Sequence, residues 1–139
     1  MSDRVFVDTN VLIYAHDVDA GAKHAAAATL VRDLWASGLG VISTQVLQEF
    51  YVNVTRKIPV PLPRAVARDV VSSYAVWHVE PIDVDRIRAA SELEERTRLS
   101  FWDALIVIAA RESGAATILS GDLNAGQRIE GLRVVDPFA

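Results

Sequence analysis

The chain has 139 residues, 51% hydrophobic and 23% charged, enough for one compact core and too few for two. It contains no cysteine, which removes disulfide frameworks, thiolate zinc sites and cysteine nucleophiles. Its net charge of −4, from 14 basic and 18 acidic side chains, at first disfavours a polyanionic partner.

The opening Met1-Ser2-Asp3-Arg4 has neither the basic region nor the apolar stretch of a signal peptide, and no apolar run is long enough to span a bilayer. The expectation is a soluble cytoplasmic protein with no membrane partner. Val5-Phe6-Val7 reads as a buried strand ended by Asp8, and Thr9 and Asn10 can cap a short helix over 11–15. Over 22–36, Ala27, Leu30, Val31, Leu34 and Trp35 recur at helical spacing, and Gly38 supplies the stop. Val41-Ile42 is a short strand, after which Ser43 or Thr44 caps a helix running to about residue 57. On that helix Gln45, Glu49 and Asn53 form a polar stripe beside the apolar face, and periodicity alone favours solvent for it.

The longest connection, Pro59-Val60-Pro61-Leu62-Pro63, is too short to separate domains, so 1–139 reads as a single domain. Pro63 suits the first turn of a helix over 64–74, residues 76–79 read as a strand, and Asp83 caps a polar helix over 84–98. From 101 to 110 the helix is apolar nearly all round, with Asp103 its only charge, and should be buried against a sheet. Thr117-Ile118-Leu119 is a further strand with Ser120-Gly121-Asp122 as its turn, and 133–135 a last one before Pro137. Alternating strands and helices imply an α/β fold, a three-layer α/β/α sandwich with a central parallel sheet of about five strands.

Asp8, Glu49, Asp103 and Asp122 stand where the chain enters or leaves apolar elements. Asp8 and Asp122 end strands, and in open α/β sheets ligands bind beyond the carboxyl ends of parallel strands. Each acid has an ordinary alternative: a turn aspartate at 8 and 122, a solvent-facing glutamate at 49, and at 103 a capping box with Ser100. Together they suggest a cage of hard oxygen donors. With no cysteine and only the scattered His16, His24 and His78, that cage points to Mg²⁺ or Mn²⁺ rather than zinc. Setting the four aside leaves acids and bases equal, so net charge does not exclude RNA, and all but Lys23 and Lys57 of the basic residues are arginine, the better bidentate phosphate ligand.

At Val5-Phe6-Val7-Asp8-Thr9-Asn10-Val11-Leu12 the chain resembles the first motif of the PIN-domain ribonucleases, specifically the VapC-type toxins of type II toxin–antitoxin systems. Glu49 in Thr44-Gln45-Val46-Leu47-Gln48-Glu49-Phe50, Asp103 in Phe101-Trp102-Asp103-Ala104-Leu105-Ile106, and Asp122 in Ser120-Gly121-Asp122-Leu123-Asn124 are similar to the other three motifs. Gly121 departs from the acidic residue the family often carries there. The resemblance implies a PIN-like domain that acts as a metal-dependent endoribonuclease, with Asp8, Glu49, Asp103 and Asp122 anchoring Mg²⁺ or Mn²⁺ and serving as the catalytic acids. Thr9, Asn10 and Ser120 would hold those carboxylates in place. It further implies an RNA substrate, a homodimer, and a small cognate antitoxin, with Tyr51, Val54 and the 22–36 helix as candidate surfaces. Arg56, Lys57, Arg64 and Arg68, on either side of the proline connection, are candidate RNA contacts.

Two other readings compete. Haloacid-dehalogenase-like phosphatases carry a second Asp two residues after the first, where this chain has Asn10, and no lysine follows Lys57 to serve a phosphate receiver. The non-enzymatic reading is a PIN-like domain that binds RNA or protein without cutting.

Overall fold

The computed structural model describes residues 3–139. Strand β1 (Val5–Val7) leads into α1 (Thr9–His16) and α2 (Ala22–Ser37); β2 (Gly40–Ser43) leads into α3 (Thr44–Arg56) and α4 (Arg64–Ser73). A 3₁₀ turn over Tyr74–Val76 precedes β3 (His78–Glu80), followed by α5 (Val84–Arg96), α6 (Phe101–Glu112), β4 (Thr117–Leu119), β5 (Arg128–Ile129) and β6 (Leu132–Val135). No helix among the described residues is long and apolar enough to cross a membrane.

The sheet runs β3-β2-β1-β4-β6-β5. Its first five strands are mutually parallel, as the alternating pattern predicts, and only β5 is antiparallel, pairing with β6. The sixth strand comes from a tight hairpin in which Glu130 (φ 50°) and Gly131 (φ 82°) both take left-handed backbone, the turn that matches strand twist. From β1 the chain steps outward through β2 to β3, then crosses back to β4 on the other side of β1. Right-handed crossovers therefore put α1 to α4 on one face and α5 with α6 on the other, and the helices contact one another in those two groups.

Strands β2 and β6 begin one residue earlier than the sequence expectation, at Gly40 and Leu132, and two further starts differ for clear reasons. Asp8, not Thr9 or Asn10, caps α1: its side chain accepts from the Thr9 backbone N–H, so the helix starts two residues earlier. Strand β3 begins at His78 because Tyr74–Val76 is taken up in the 3₁₀ turn, with Tyr74 fully buried against Trp35 and Trp77. Gly40 opens β2 beneath the Trp77 ring, where a Cβ would lie 2.5 Å from a ring carbon.

In α6 every residue from Ala104 to Ala110 is buried, so a face without polar relief sits against the sheet, and each large aliphatic there contributes about 1.5–3 kcal/mol. Its start is held by Ser100, whose hydroxyl accepts from the Asp103 N–H at 3.1 Å. On the sheet's edge strand, buried Glu80 closes β3 and receives Arg86 of α5 and His78. Burial alone would raise the Glu80 carboxyl, but the hydrogen bonds from His78 and Arg86 outweigh it and hold it below its ordinary value.

Candidate active site

Strand order reverses at β1, so the crevice between the carboxyl ends of β1 and β4 is the topological switch point. Asp8 follows β1 and Ser120-Gly121-Asp122 follows β4; the Asp8 N–H donates to the Leu119 carbonyl at 3.0 Å, stitching the two ends together. Asp8 is only 5% exposed. Its Oδ1 accepts from the Thr9 N–H at 2.7 Å; its Oδ2 accepts from Ser120 Oγ at 2.8 Å and from Asn10 Nδ2 at 3.3 Å.

Asn10 is the bridge between the two strand ends. Its Nδ2 also donates to Asp122 Oδ2 at 3.0 Å, and its Oδ1 accepts from the Gly121 N–H at 2.9 Å. Ser120 Oγ completes the turn by accepting from the N–H groups of Asp122 and Leu123, both at 3.1 Å. Gly121 is needed here for space: a Cβ would stand 3.0 Å from the Phe138 ring and 3.3 Å from Asn10 Oδ1. Since Asn10 is fixed by three bonds, Phe138 must yield instead. Gly121→Ala is expected to lower stability by about 1–3 kcal/mol in thermal denaturation, and adding Phe138→Leu should recover part of the loss.

Glu49 comes from α3, whose polar stripe turns toward the cleft: Gln45 is 5% exposed, and Glu49 and Asn53 are half-buried. Thr9 Oγ1 donates to Glu49 Oε1 at 2.8 Å, which ties the second acid to the residue next to the first. One turn earlier, Gln45 Nε2 donates to the Trp102 carbonyl at 3.3 Å, tying α3 to the first turn of α6 beside Asp103. Gln45 Oε1 is buried with no hydrogen-bond partner, an oxygen able to accept one more donor or face a cation.

The electrostatics follow from this crowding. Burial pushes the Asp8 carboxyl up to about 6, against the bonds from Ser120 and Thr9, and the neighbouring charges of Asp122 and Asp103 push the same way. Asp103 is raised as well, first by burial and then by Asp122, with Ser100 opposing. Mutual repulsion thus links Asp8, Asp103 and Asp122, while Thr9 links Glu49 to the same group.

Among the described residues no three acidic or histidine side chains stand close enough to grip one metal ion together. The donor set nonetheless fits a hard divalent cation. All donors are oxygens, three of the carboxylates repel one another, Gln45 Oε1 is orphaned nearby, and a cation would reverse the penalty on Asp8. The three histidines are engaged elsewhere: His16 with the Tyr74 hydroxyl, His24 with the Tyr14 carbonyl, His78 with Glu80.

Of the four basic residues singled out around the proline connection, Lys57 and Arg68 border different hollows. Lys57 lines a hollow with Asn10 and Asn53 beside the cleft, whereas Arg68 borders an apolar groove of about 390 Å³ between α3 and α4, with Leu47, Tyr51 and Val71. Arg56 and Arg64 are exposed near the helix ends on either side of Pro59 to Pro63. Val54, a candidate surface residue, is fully buried, and Tyr51 is half-buried on the groove wall. A second basic region, missed in the sequence, lies between the α5–α6 connection and the β4–β5 loop. It is a cleft of about 670 Å³ with Arg96, Arg98, Asn124 and Arg128 on its walls.

The largely parallel sheet brings acids from two strand ends and two helices toward its topological switch point, where α/β proteins bind their ligands. The family profile described as "PIN domain" matches residues 5–128, and the chain belongs to the PIN-domain family. A comparison with curated protein sequences returns no significant match. Among solved structures, the chain is similar to Mycobacterium tuberculosis VapC20, described as a sarcin-ricin loop cleaving toxin. Identity is 27%, over 85% of this chain and 91% of that one, with a TM-score of 0.66. It shares its fold with a toxin–antitoxin complex from Klebsiella pneumoniae, at 19% identity, 96% and 97% coverage and a TM-score of 0.69. It also shares it with DNA-bound VapBC from Salmonella typhimurium, at 18% identity, 97% and 98% coverage and a TM-score of 0.67. Within the PIN family, then, its likeness is to the VapC-type toxins.

Proposed function

We propose that this chain is a metal-dependent endoribonuclease, the toxin of a toxin–antitoxin pair, acting in the cytoplasm as one PIN-like domain over 1–139. The observation that carries the reading is the bonded cluster Asp8–Asn10–Asp122 at the switch point, with Asp103 and Glu49 tied to its edges, in a fold shared with VapC toxins. Asp8, Asp103 and Asp122 would hold Mg²⁺ or Mn²⁺, with Glu49 and Gln45 Oε1 at the far side. When bound, the metal supplies Lewis acidity to the phosphate and lowers the pKa of water.

The chain's own residues do the rest. Thr9 and Asn10 hold Glu49, Asp8 and Asp122 in one arrangement through their side-chain bonds, and Ser120 fixes the turn that aims Asp122. Carboxylates on opposite sides of the crevice give the attacking water's proton an oxygen to move to without a histidine. Lys57, beside Asn10, is the one residue of the Arg56, Lys57, Arg64 and Arg68 group placed to meet an RNA strand entering from α3; the other three remain candidates for more distant phosphates. A homodimer and a small antitoxin that blocks the cleft complete the proposal, with the apolar α3–α4 groove as a contact surface.

Incubating antitoxin-free protein with mixed RNA in Mg²⁺ or Mn²⁺, beside an EDTA control, tests this directly. Cleavage in metal and none in EDTA is expected; metal-independent cleavage, or binding without cleavage, would sink it. Thr9→Val, nearly isosteric, removes only the bond to Glu49 and should cost about 10–100-fold in cleavage rate with the melting temperature changed by little. The second reading, a PIN-like domain that binds RNA or protein without cutting, draws support from the spread of the acids. Binding alone in the same assay would establish it.

A further inference from the structure

Trp102 is 62% exposed, although its neighbours on α6 from Ala104 onward are fully buried. The chain's other tryptophans belong to one aromatic cluster: Trp77 is 9% exposed, and Trp35, 39% exposed, meets Trp77 edge-on and Tyr74 at a tilt. Folding gains little from an indole left in water, so Trp102 invites another explanation. Its position supplies one. It precedes Asp103, its carbonyl is held by Gln45 one turn before Glu49, and its ring rests edge-on against Phe101 at 5.2 Å. Trp102 is thus an exposed ring on the first turn of α6, at a point where Gln45 anchors the backbone next to Asp103.

Four residues earlier, Arg98 enters the basic cleft with Arg128 and Asn124. Glu130, the carboxylate of that cleft, is taken by Arg96 at 2.5 Å and Arg111 at 3.3 Å. Arg98 and Arg128 have no carboxylate within ion-pair distance among the described residues, so their charge faces the cleft. Asn124 on its wall is two residues past Asp122, and Leu99 is four before Asp103, so the chain carries two of the acids to within a few residues of the cleft.

We propose that Trp102 is a stacking platform for an unpaired RNA base next to the acids, while Arg98 and Arg128 hold the phosphates of the adjoining nucleotides. The inference rests on the ribonuclease reading and specifies its substrate: a single-stranded segment, because a paired base has no free face to stack. Stacking on an indole tolerates any base, so this surface favours unpaired chain over sequence.

The test is binding of a randomised 12-nucleotide single-stranded RNA pool to the full chain in EDTA, which separates binding from cleavage. Indole fluorescence should be quenched on binding, and Trp102→Phe should abolish that quenching while retaining most of the affinity. Trp102→Ala should weaken binding about 5- to 150-fold with the melting temperature unchanged. A fully paired RNA of the same length should bind more weakly and be indifferent to Trp102→Ala. The paired change Arg98→Gln, Arg128→Gln should flatten the log–log salt slope by about 1.4, and the Lys versions should restore it. Absence of binding by the pool, or equal affinity for wild type and Trp102→Ala, would overturn the proposal. Equal affinity with a changed oligomeric state on sizing would assign the ring to a protein contact instead, and overturn it too. Stacking with no metal-dependent cleavage would defeat the ribonuclease reading and leave this one standing.

Discussion

Asp8→Asn is expected to lower metal-dependent RNA cleavage on the order of 10³-fold. Asparagine keeps the size of the side chain and remains a good N-cap, so α1 still starts where it does and the Thr9 N–H keeps its acceptor. What disappears is one negative charge buried at the switch point, together with Oδ2 as the acceptor for Ser120 Oγ and Asn10 Nδ2. A unit charge acting on another about 4 Å away is worth about 4 kcal/mol at an effective dielectric near 20, which is about three decades of rate. Single-turnover cleavage of one fixed RNA at saturating Mn²⁺ would measure it. A rate within tenfold of wild type would show that Asp8 is a cap and not part of the chemistry. Alanine would be a poorer probe, since losing the cap costs about 1 kcal/mol in its own right.

The same substitution should make the metal-free protein more stable at neutral pH, by less than the ~3 kcal/mol of the buried charge, because the Ser120 and Asn10 donors lose their acceptor. Burial, helped by Asp122 and Asp103, raises the folded carboxyl of Asp8 from 3.8 to about 6. The folded state therefore binds the proton more tightly than the unfolded chain does. Below 3.8 both states are protonated and there is no penalty; as pH rises from there to about 6, stability falls by about 1.4 kcal/mol per unit; above 6 the loss is constant. Glu80 acts in the opposite sense, its contribution being lost as pH falls through its depressed folded value. Subtracting the pH–stability curve of Asp8→Asn from that of wild type cancels Glu80 and isolates Asp8. The difference should be flat at neutral pH and vanish near pH 4. Saturating Mg²⁺ or Mn²⁺ should narrow it at neutral pH, because a cation stabilises only the charged form. A variant no more stable than wild type in EDTA would mean that Asp8 carries no such strain.

Asp8 and Asp122 were readable because a carboxylate directly after a three-residue apolar run has few places to be except the sheet's rim. The buried character of α6 was equally plain from an apolar stretch with one charge. Glu49 was harder. Spacing put Gln45, Glu49 and Asn53 on one stripe but could not say what lay opposite, and only the Thr9 and Trp102 contacts turn it inward. The role of Asn10 was underestimated for the same reason: its bonds to Asp122 and Gly121 span more than a hundred residues. Strand β5 escaped because its two residues carry no period, although Gly131 after Glu130 was a usable turn signal. The basic cleft is assembled from Arg98 and Arg128, thirty positions apart, so no local run of charge announced it.

Glu130 draws Arg96 and Arg111 together, and with Glu112, which also pairs with Arg111, it cancels two guanidinium charges in the molecule's outward field. In a chain of net charge −4 this leaves little to pull a polyanion in from a distance. On the proposed ribonuclease reading, capture of RNA is expected at the unsteered rate of ordinary docking, about 10⁵–10⁷ M⁻¹s⁻¹, and not at the diffusion-driven rate of a broadly cationic nuclease. Most encounters with cellular RNA would end in separation, and discrimination would fall to residence time: a strand stays only if its shape lets it reach the acids.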